Sequence, residues 1–580
     1  MASKDIEQVK AEIVEKYKKM TPKSGKMFTE AQKYLPGGET RNITYFYPYP
    51  FYVVKGEGSY LEDVDGNKYL DVQNNMTVHL HGHAHPKITE AIQKQASLGT
   101  AHNAPTANQY QLAKMLCDRL PSVDEIRFCN SGTEATMFAL RAAREFTGKD
   151  RIILTDGCYH GSHDYVEVNF DGAMFTEGLP KPTVERGISK TILKDIYVVP
   201  FNDLKIVEKV MKRHHKKIAA IMIEPLMGFA GGVVATQEYL QGLRDLTKKY
   251  NILLIFDEVI TFRLSTGGMQ KLTGIYPDLT ALGKTIGGGL PVGAFGGRKD
   301  IMEQFNLVKK RNYIMHSGTF SGNSLTMAAG KVALELYNEA EINRVGKLGD
   351  RLKKGLREIM DSLDIKCHVD GIQSLCYIQF PDTIAQNKKE ISFNTIPYLE
   401  LSDYVRMAMT INGLYGISRG VIGFLLSTAM DEAFIDEVLV RFRKTMEMVL
   451  PIYNDLKPYQ GFAGIIYAMM KKLNLNEKFK KEYSNDKYSL LLVAKDDPHA
   501  IKLDVANGHV IFTPINNTKE EINKIKKECQ GAIITSRPTF LGLGVGKTKP
   551  LKAILQGRLK IKGLKYVQKF TKYFSLLRTE

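Results

Sequence analysis

Between residues 108 and 300, short apolar runs alternate with stretches of helix length, and this alternation restricts the fold more than any other feature. RIILT (151–155), IYVVP (196–200), IAAIMIEP (218–225) and ILLIFDEV (252–259) are short and apolar, often with turn or capping residues nearby. Helical segments fall at 108–119, 133–147 and 237–250. The pattern predicts an α/β fold with a mostly parallel sheet covered by helices. Residues 323–450 read as mainly helical, with strand-like IQSLCYIQF (372–380) and VIGFLLST (421–428), and predict a smaller α+β unit. Near the start, Ile6, Val9, Ile13, Tyr17 and Met20 recur at three- and four-residue steps, as one face of a helix would. A chain of 580 residues is expected to hold about three or four domains.

In open α/β sheets, ligands sit beyond the carboxyl ends of the strands. Two strand-like runs end there in useful chemistry. LLIFDEV (253–259) ends in Asp257-Glu258, and PDLTALGKTIGGGLPVGAFGG (277–297) sets Lys284 between a strand-like run and glycines. A lysine beside an acid on one edge suits pyridoxal phosphate. The amine forms a Schiff base with the aldehyde, and the carboxylate keeps the pyridine nitrogen protonated so that the ring absorbs carbanion charge. The freed amine then moves the proton. In FCNSGTEATMFALRAAREF (128–146), a strand end meets Ser131-Gly132-Thr133 and then a helix, whose first N–H groups would hold a phosphate. Taken alone, each feature also has an ordinary reading: a surface Asp and Lys, and an N-cap with Glu134 in the first turn.

Together the residues carry a resemblance. From about 25 to 450 the chain resembles the class III pyridoxal-phosphate aminotransferases, especially the branch containing glutamate-1-semialdehyde 2,1-aminomutase. The matching stretches are PGGETR (36–41), GEGSYLEDVDGNKYLD (56–71), HGHAHP (81–86), NSGTEAT (130–136), GCYHG (157–161), IEP (223–225), FDEV (256–259), the lysine segment 277–297 and SGTFSGN (317–323). The resemblance implies an aspartate aminotransferase-type fold: a large sheet domain over 76–330, and a smaller one built from 1–75 and 331–450. It implies Lys284 as the Schiff-base lysine and Asp257 as the partner of the ring nitrogen. Ser131, Gly132 and Thr133 would hold the phosphate, Tyr159 would stack on the ring, and Asn202 and Glu224 would lie near the phenolic oxygen and substrate. Thr319 would reach the phosphate from the other subunit, which implies a homodimer with shared sites. The alternating His79, His81, His83 and His85 invite a metal reading, but the resemblance places them in a loop near the site without one, so no metal is expected.

The departures bear on substrate. Aminomutases of this branch carry a tryptophan in the stretch read here as NNMTVHL (74–80), and this chain has none. They carry a glutamate ahead of the last small-domain strand, where Ile422 aligns. The chain instead has PGGETR followed by Tyr45, Phe46, Tyr47, Tyr49, Phe51 and Tyr52. That pattern looks more like transaminases acting on β-amino acids or bulky amines, in which an arginine clamps the substrate carboxylate bidentately. Arg41 is the first candidate and Arg419 the second. The expected activity is transamination between a small-molecule amino donor and a keto or aldehyde acceptor, with the 2,1-aminomutase reaction as the alternative.

Charge separates the remainder. Residues 451–580 hold 24 Lys+Arg against 11 Asp+Glu, although the whole chain is only +17. The stretch 451–487, opening with Pro451 and Pro458 and ending Lys-rich, reads as a linker. Beyond it, KYSLLLVAK and AIKLDVANGHVIFTP read as strands, with Asn507-Gly508 as a hairpin turn. Thr518 and Glu521 open a helix at capping-box spacing, and 563–577 is a basic amphipathic helix candidate. FLGLGVGKT (540–548) lacks the first glycine of a P-loop, since Leu541 stands there. Residues 488–580 are similar to the sterol-carrier-protein lipid-binding domain, chiefly through KPLKAILQGRLKIKGLKYVQKF (549–570). This implies an apolar tunnel for an acyl chain or sterol. No nucleic-acid-binding module is recognisable. Six cysteines without a CxxC pair, a polar N-terminus and no run of 18 apolar residues point to a cytoplasmic protein without a transmembrane segment.

Overall fold

A computed structural model describes residues 6–168, 172–175, 180, 182–309, 311–381, 383–418 and 420–576. Its centre is a seven-stranded sheet. From edge to edge the strands are Glu125–Cys129, Gly293–Gly297, Leu279–Gly283, Leu253–Asp257, Ile218–Ile223, Arg151–Thr155 and Ile196–Val199. All run parallel except Gly293–Gly297, which is antiparallel to both neighbours. Every residue of Ile218–Ile223, Leu253–Asp257 and Leu279–Gly283 is buried. Helices cover both faces, so these strands need no polar side and read as unbroken apolar runs. Helix Gly132–Thr147 lays Ala135, Phe138, Ala139 and Ala142 on one face. Helices Leu204–His214 and Gln237–Tyr250 cover the other.

The smaller unit is assembled from both ends of the aminotransferase-like region. Strand Lys68–Asp71 pairs in parallel with Leu414–Tyr415. Val9, Ile13 and Tyr17 of helix Ile6–Met20 share a core with Leu401, Val405 and Phe442. Phe46 and Phe51 of the aromatic run also enter this core, and Phe51 stacks on Tyr69 with ring centroids 4.4 Å apart. These two rings therefore brace the loop and do not face a substrate. Ile422 lies inside strand Val421–Leu425, fully buried, where it offers no group to a cavity.

The segment expected to be a linker is not one. Helix Glu432–Leu456 runs straight through Pro451. Val449, Ile452 and Tyr453 bury completely around that proline, and tertiary packing outweighs its local penalty. Helix Gly461–Met470 then sends Phe462, Ala463, Ile466 and Met470 into the core of the C-terminal unit. That unit therefore begins well before residue 488. Its five-stranded sheet has the order His509–Asn516, His499–Ala506, Lys487–Ala494, Gly531–Thr535, Lys560–Lys562. Asn507 and Gly508, with φ of 51° and 71°, make the hairpin turn. The unit docks through Ile465 and Leu541 on Phe393, and Arg537 lies over the Phe393 ring at 4.5 Å. No helix among the described residues is long and apolar enough to cross a membrane.

Candidate active site

The carboxyl ends of the parallel strands open onto a cavity of about 370 Å3, lined by Gly132, Thr133, Tyr159, Glu224, Asp257 and Lys284 among others. The sheet brings them together. Asp257 closes one strand, Glu224 and Lys284 follow the ends of two others, and Gly132 opens the helix after a fourth. Lys284 has φ of +48°. A non-glycine residue in the left-handed region costs roughly 1–2 kcal/mol, and such strain gathers at functional sites.

Asp257 is 3% exposed, and both its oxygens are engaged. Oδ1 accepts from the Val259 N–H at 3.1 Å, and Oδ2 lies 2.8 Å from Nδ1 of His160. His160 is itself buried, and its Nε2 has no partner among the described residues. Glu224 Oε2 accepts from the Tyr159 N–H at 2.8 Å. Burial, and then the nearby Asp257 charge, push the Glu224 carboxyl above the ordinary carboxylate range. Burial pulls the Lys284 amine down, against the opposing pull of Glu224 and Asp257, and Arg41 adds to the lowering. The amine therefore sits closer to its neutral form than a surface lysine, as a group that gives and takes protons must.

The phosphate cradle follows from helix geometry. Ser131 caps helix Gly132–Thr147, its side chain accepting from the Glu134 N–H at 3.1 Å. Glu134 turns back to accept from the Asn130 N–H at 2.8 Å. The first-turn N–H groups of Gly132 and Thr133 have no carbonyl inside the helix to bond, and the helix dipole favours an anion there. Gly161 forms the opposite wall. A Cβ at this position, where φ is +95°, would come within 2.4 Å of the Thr133 hydroxyl and 2.6 Å of its Cα. Gly161→Ala is therefore expected to weaken cofactor binding about tenfold or more. Titrating pyridoxal phosphate into the cofactor-free variant measures this, and parental affinity would contradict the cradle assignment.

Other expected residues stand elsewhere. Asn202 has φ of +58° and spends its side chain on backbone, donating to Val234 and Gln386 oxygens and accepting from the Thr236 N–H. It does not line the cavity. Thr319 is exposed beside a second, larger cleft with His102, Ser317 and Gly318. Arg41 donates from Nη1 to Oδ1 of Asn75 at 2.8 Å, and Asn75 lines the cavity. Arg419 lies outside the described residues. Two of the four histidines have structural partners: His83 Nε2 sits 2.7 Å from Asp71, and His81 bonds Thr428 and the Ala333 carbonyl.

Two residues escaped the sequence reading. His160 stands beside Tyr159 in the GCYHG stretch, but nothing in its spacing from Asp257 announces the contact. Arg406 reaches from helix Leu399–Ile411 to the carbonyls of Ile43, Thr44 and Tyr45 and lies over the Phe46 ring at 4.5 Å, tying down the loop that carries Arg41.

The family model for class-III aminotransferases matches residues 46–446, most of the chain. The chain belongs to the class-III aminotransferases. Like other members of this family, the enzyme uses pyridoxal phosphate. It is 38% identical over 434 residues to glutamate-1-semialdehyde 2,1-aminomutase of Sulfurihydrogenibium azorense, covering 74% of this chain and 99% of that protein. Among solved structures it resembles an omega-transaminase from Sphaerobacter thermophilus, with 36% identity, TM-score 0.70, and coverage of 73% and 97%. It also resembles a β-phenylalanine aminotransferase from Variovorax paradoxus, with 30% identity, TM-score 0.69, and coverage of 76% and 98%.

The residues present fit the cofactor: an amine drawn toward neutrality by burial, a buried carboxylate, an anion cradle and the exposed Tyr159 ring converge on one cavity. When bound, pyridoxal phosphate supplies an electron sink that acidifies the bond next to the substrate nitrogen. The protein's share is then positional: Lys284 would shuttle the proton, Asp257 would hold a negative charge at the ring nitrogen, and the Gly132–Thr133 amides would anchor the phosphate.

Proposed function

We propose that this class-III aminotransferase moves an amino group between an amino acid or amine and a keto or aldehyde acceptor carried by a separate molecule. Lys284 and Asp257 are the catalytic pair of this proposal, with Ser131, Gly132, Thr133, Tyr159 and Glu224 around the cofactor. The observation that carries the reading is the seat of Arg41. Its guanidinium is held by Asn75 at the cavity wall, and its charge is felt at Lys284. A planar donor fork there suits a donor carboxylate bidentately. Ile422, buried in the small-domain core, leaves the aminomutase glutamate position without a carboxyl. The alternative, internal 2,1-transfer, draws support from the name of the Sulfurihydrogenibium relative.

A panel of donors tests the choice. With an added keto acceptor, the enzyme is expected to consume β-amino acids. With glutamate-1-semialdehyde alone, it is expected to form no 5-aminolevulinate; formation of that product without an acceptor would decide for the aminomutase. In the same panel, Arg41→Ala is expected to raise KM about 10- to 100-fold for carboxylate-bearing donors while leaving uncharged amines nearly unchanged. An equal effect on both classes would remove Arg41 from substrate recognition.

The proposal extends to assembly and to the C-terminal unit. A second copy would present its Thr319 to this cavity, which accords with the exposure of Thr319 and its place in a cleft other than the chain's own cavity. The C-terminal unit would carry an acyl chain or sterol, a reading that rests on the likeness of residues 488–580 to the sterol-carrier-protein domain. It also meets the segment 172–175, where Lys547 lies over the Phe175 ring at 4.2 Å. Six cysteines without a disulfide suit a cytoplasmic setting.

A further inference from the structure

One short helix of the C-terminal unit is inverted. Pro550–Leu555 turns Ala553 into the core, fully buried, and presents Leu551, Ile554 and Leu555 outward. Their spacing places all three on one narrow face, opposite Ala553. Leu551 is 77% exposed and Leu555 87% exposed. Val545 and Leu564, also exposed, lie on either side in sequence. A soluble surface seldom gathers large apolar side chains this way without a partner.

The charge of the same segment identifies the partner. From Val545 to Leu576 there is no Asp or Glu. Lys549, Lys552, Lys560 and Lys565 are exposed, and none of the four forms an ion pair among the described residues. Three others are engaged: Lys569 with Asp486, Lys562 with the Lys526 and Cys529 carbonyls, and Lys547 over Phe175. Gly546 and Gly557, on either side of this helix in sequence, have open space where a Cβ would stand, with no described residue within 4 Å of it. A protruding apolar tip ringed by free ammonium groups matches a plane that is apolar inside and anionic at its surface. Leucines enter the acyl boundary while lysines stay at headgroup level. We propose that residues 545–565 dock this enzyme onto an anionic lipid bilayer, as a peripheral contact that leaves the aminotransferase cavity in water.

The test is co-sedimentation of the full-length, cofactor-loaded protein with vesicles of phosphatidylcholine, with and without phosphatidylglycerol. The bound fraction is expected to rise about tenfold or more with the anionic lipid, and to fall as salt screens the lysines. Leu551→Ser with Leu555→Ser is expected to lower anionic-vesicle binding about tenfold. Lys549→Glu with Lys552→Glu is expected to abolish the preference for phosphatidylglycerol. Transaminase rates equal to the parent's show that both variants are folded. The proposal fails if the parent binds both vesicle types equally or neither. It fails also if both variants bind as the parent does, or if the leucine variant instead lowers the molar mass in light scattering, which would make a second copy the occupant.

Discussion

Replacing Lys284 with alanine is expected to lower the turnover of every donor by about ten-thousand-fold, the upper range for loss of a positioned proton-transfer group that is also the covalent anchor. The argument is local. The amine ends the strand Leu279–Gly283 in a left-handed conformation, lines the cavity, and is drawn toward neutrality by burial. Lys284→Arg separates charge from proton transfer. A guanidinium keeps the positive charge but stays protonated at any working pH, so the arginine variant is expected to be as inactive as alanine. Single-turnover absorbance of the cofactor on mixing with donor measures both. Alanine also removes a desolvated amine, so the cofactor-free variant is expected to melt no lower than the parent. Activity of either variant within tenfold of the parent would remove Lys284 from the chemistry.

The chain announced this pair because two independent patterns coincide. Apolar runs mark buried parallel strands, and polar residues that end such runs must lie on one edge of the sheet. The pattern lets Asp257 and Lys284 converge on one crevice, but taken alone the two also read as surface residues, and it is the resemblance to the class III aminotransferases that pairs them. His160 was not paired in this way, because its contact with Asp257 joins a loop to a strand end through tertiary structure alone. Arg406 is similar: an arginine inside a helix reads as a solvated charge until the helix lies against carbonyls of the loop at 43–45. The four successive left-handed residues Asn74 to Thr77 were equally hidden. Only asparagine favours that region among them, and the turn is held by Asp71 Oδ1 accepting from the Gln73 and Asn74 N–H groups and by the Asn74 amide donating to the Leu425 carbonyl. Pro451 misled for the opposite reason: its local signal is strong, but the helix around it is fixed by burial on both sides. Local chemistry was legible where one residue suffices, and illegible where a residue's meaning depends on a distant neighbour.

Asp257→Asn carries the second large effect. The substitution keeps the shape of the side chain, and an amide oxygen can still accept from the Val259 N–H. What it removes is the negative charge, buried 3% exposed at the end of the strand, where the low local dielectric makes it count most. A neutral amide cannot favour a protonated ring nitrogen over a bare one, so the electron sink is weakened while binding groups stay in place. The expected result is a fall of about a thousandfold in kcat, with KM for the donor changed severalfold at most. His160 gives a control on how the charge is held. His160 also lines the cavity, but its one side-chain hydrogen bond among the described residues is to Asp257, so its hold on the charge is exerted through the carboxylate. His160→Asn is expected to cost about tenfold in kcat in the parent and almost nothing in the Asp257→Asn background, since residues acting through one another are not additive. Additive losses would mean that His160 supports the fold rather than the charge. A kcat for Asp257→Asn close to the parent's would mean that the cofactor ring does not depend on this carboxylate.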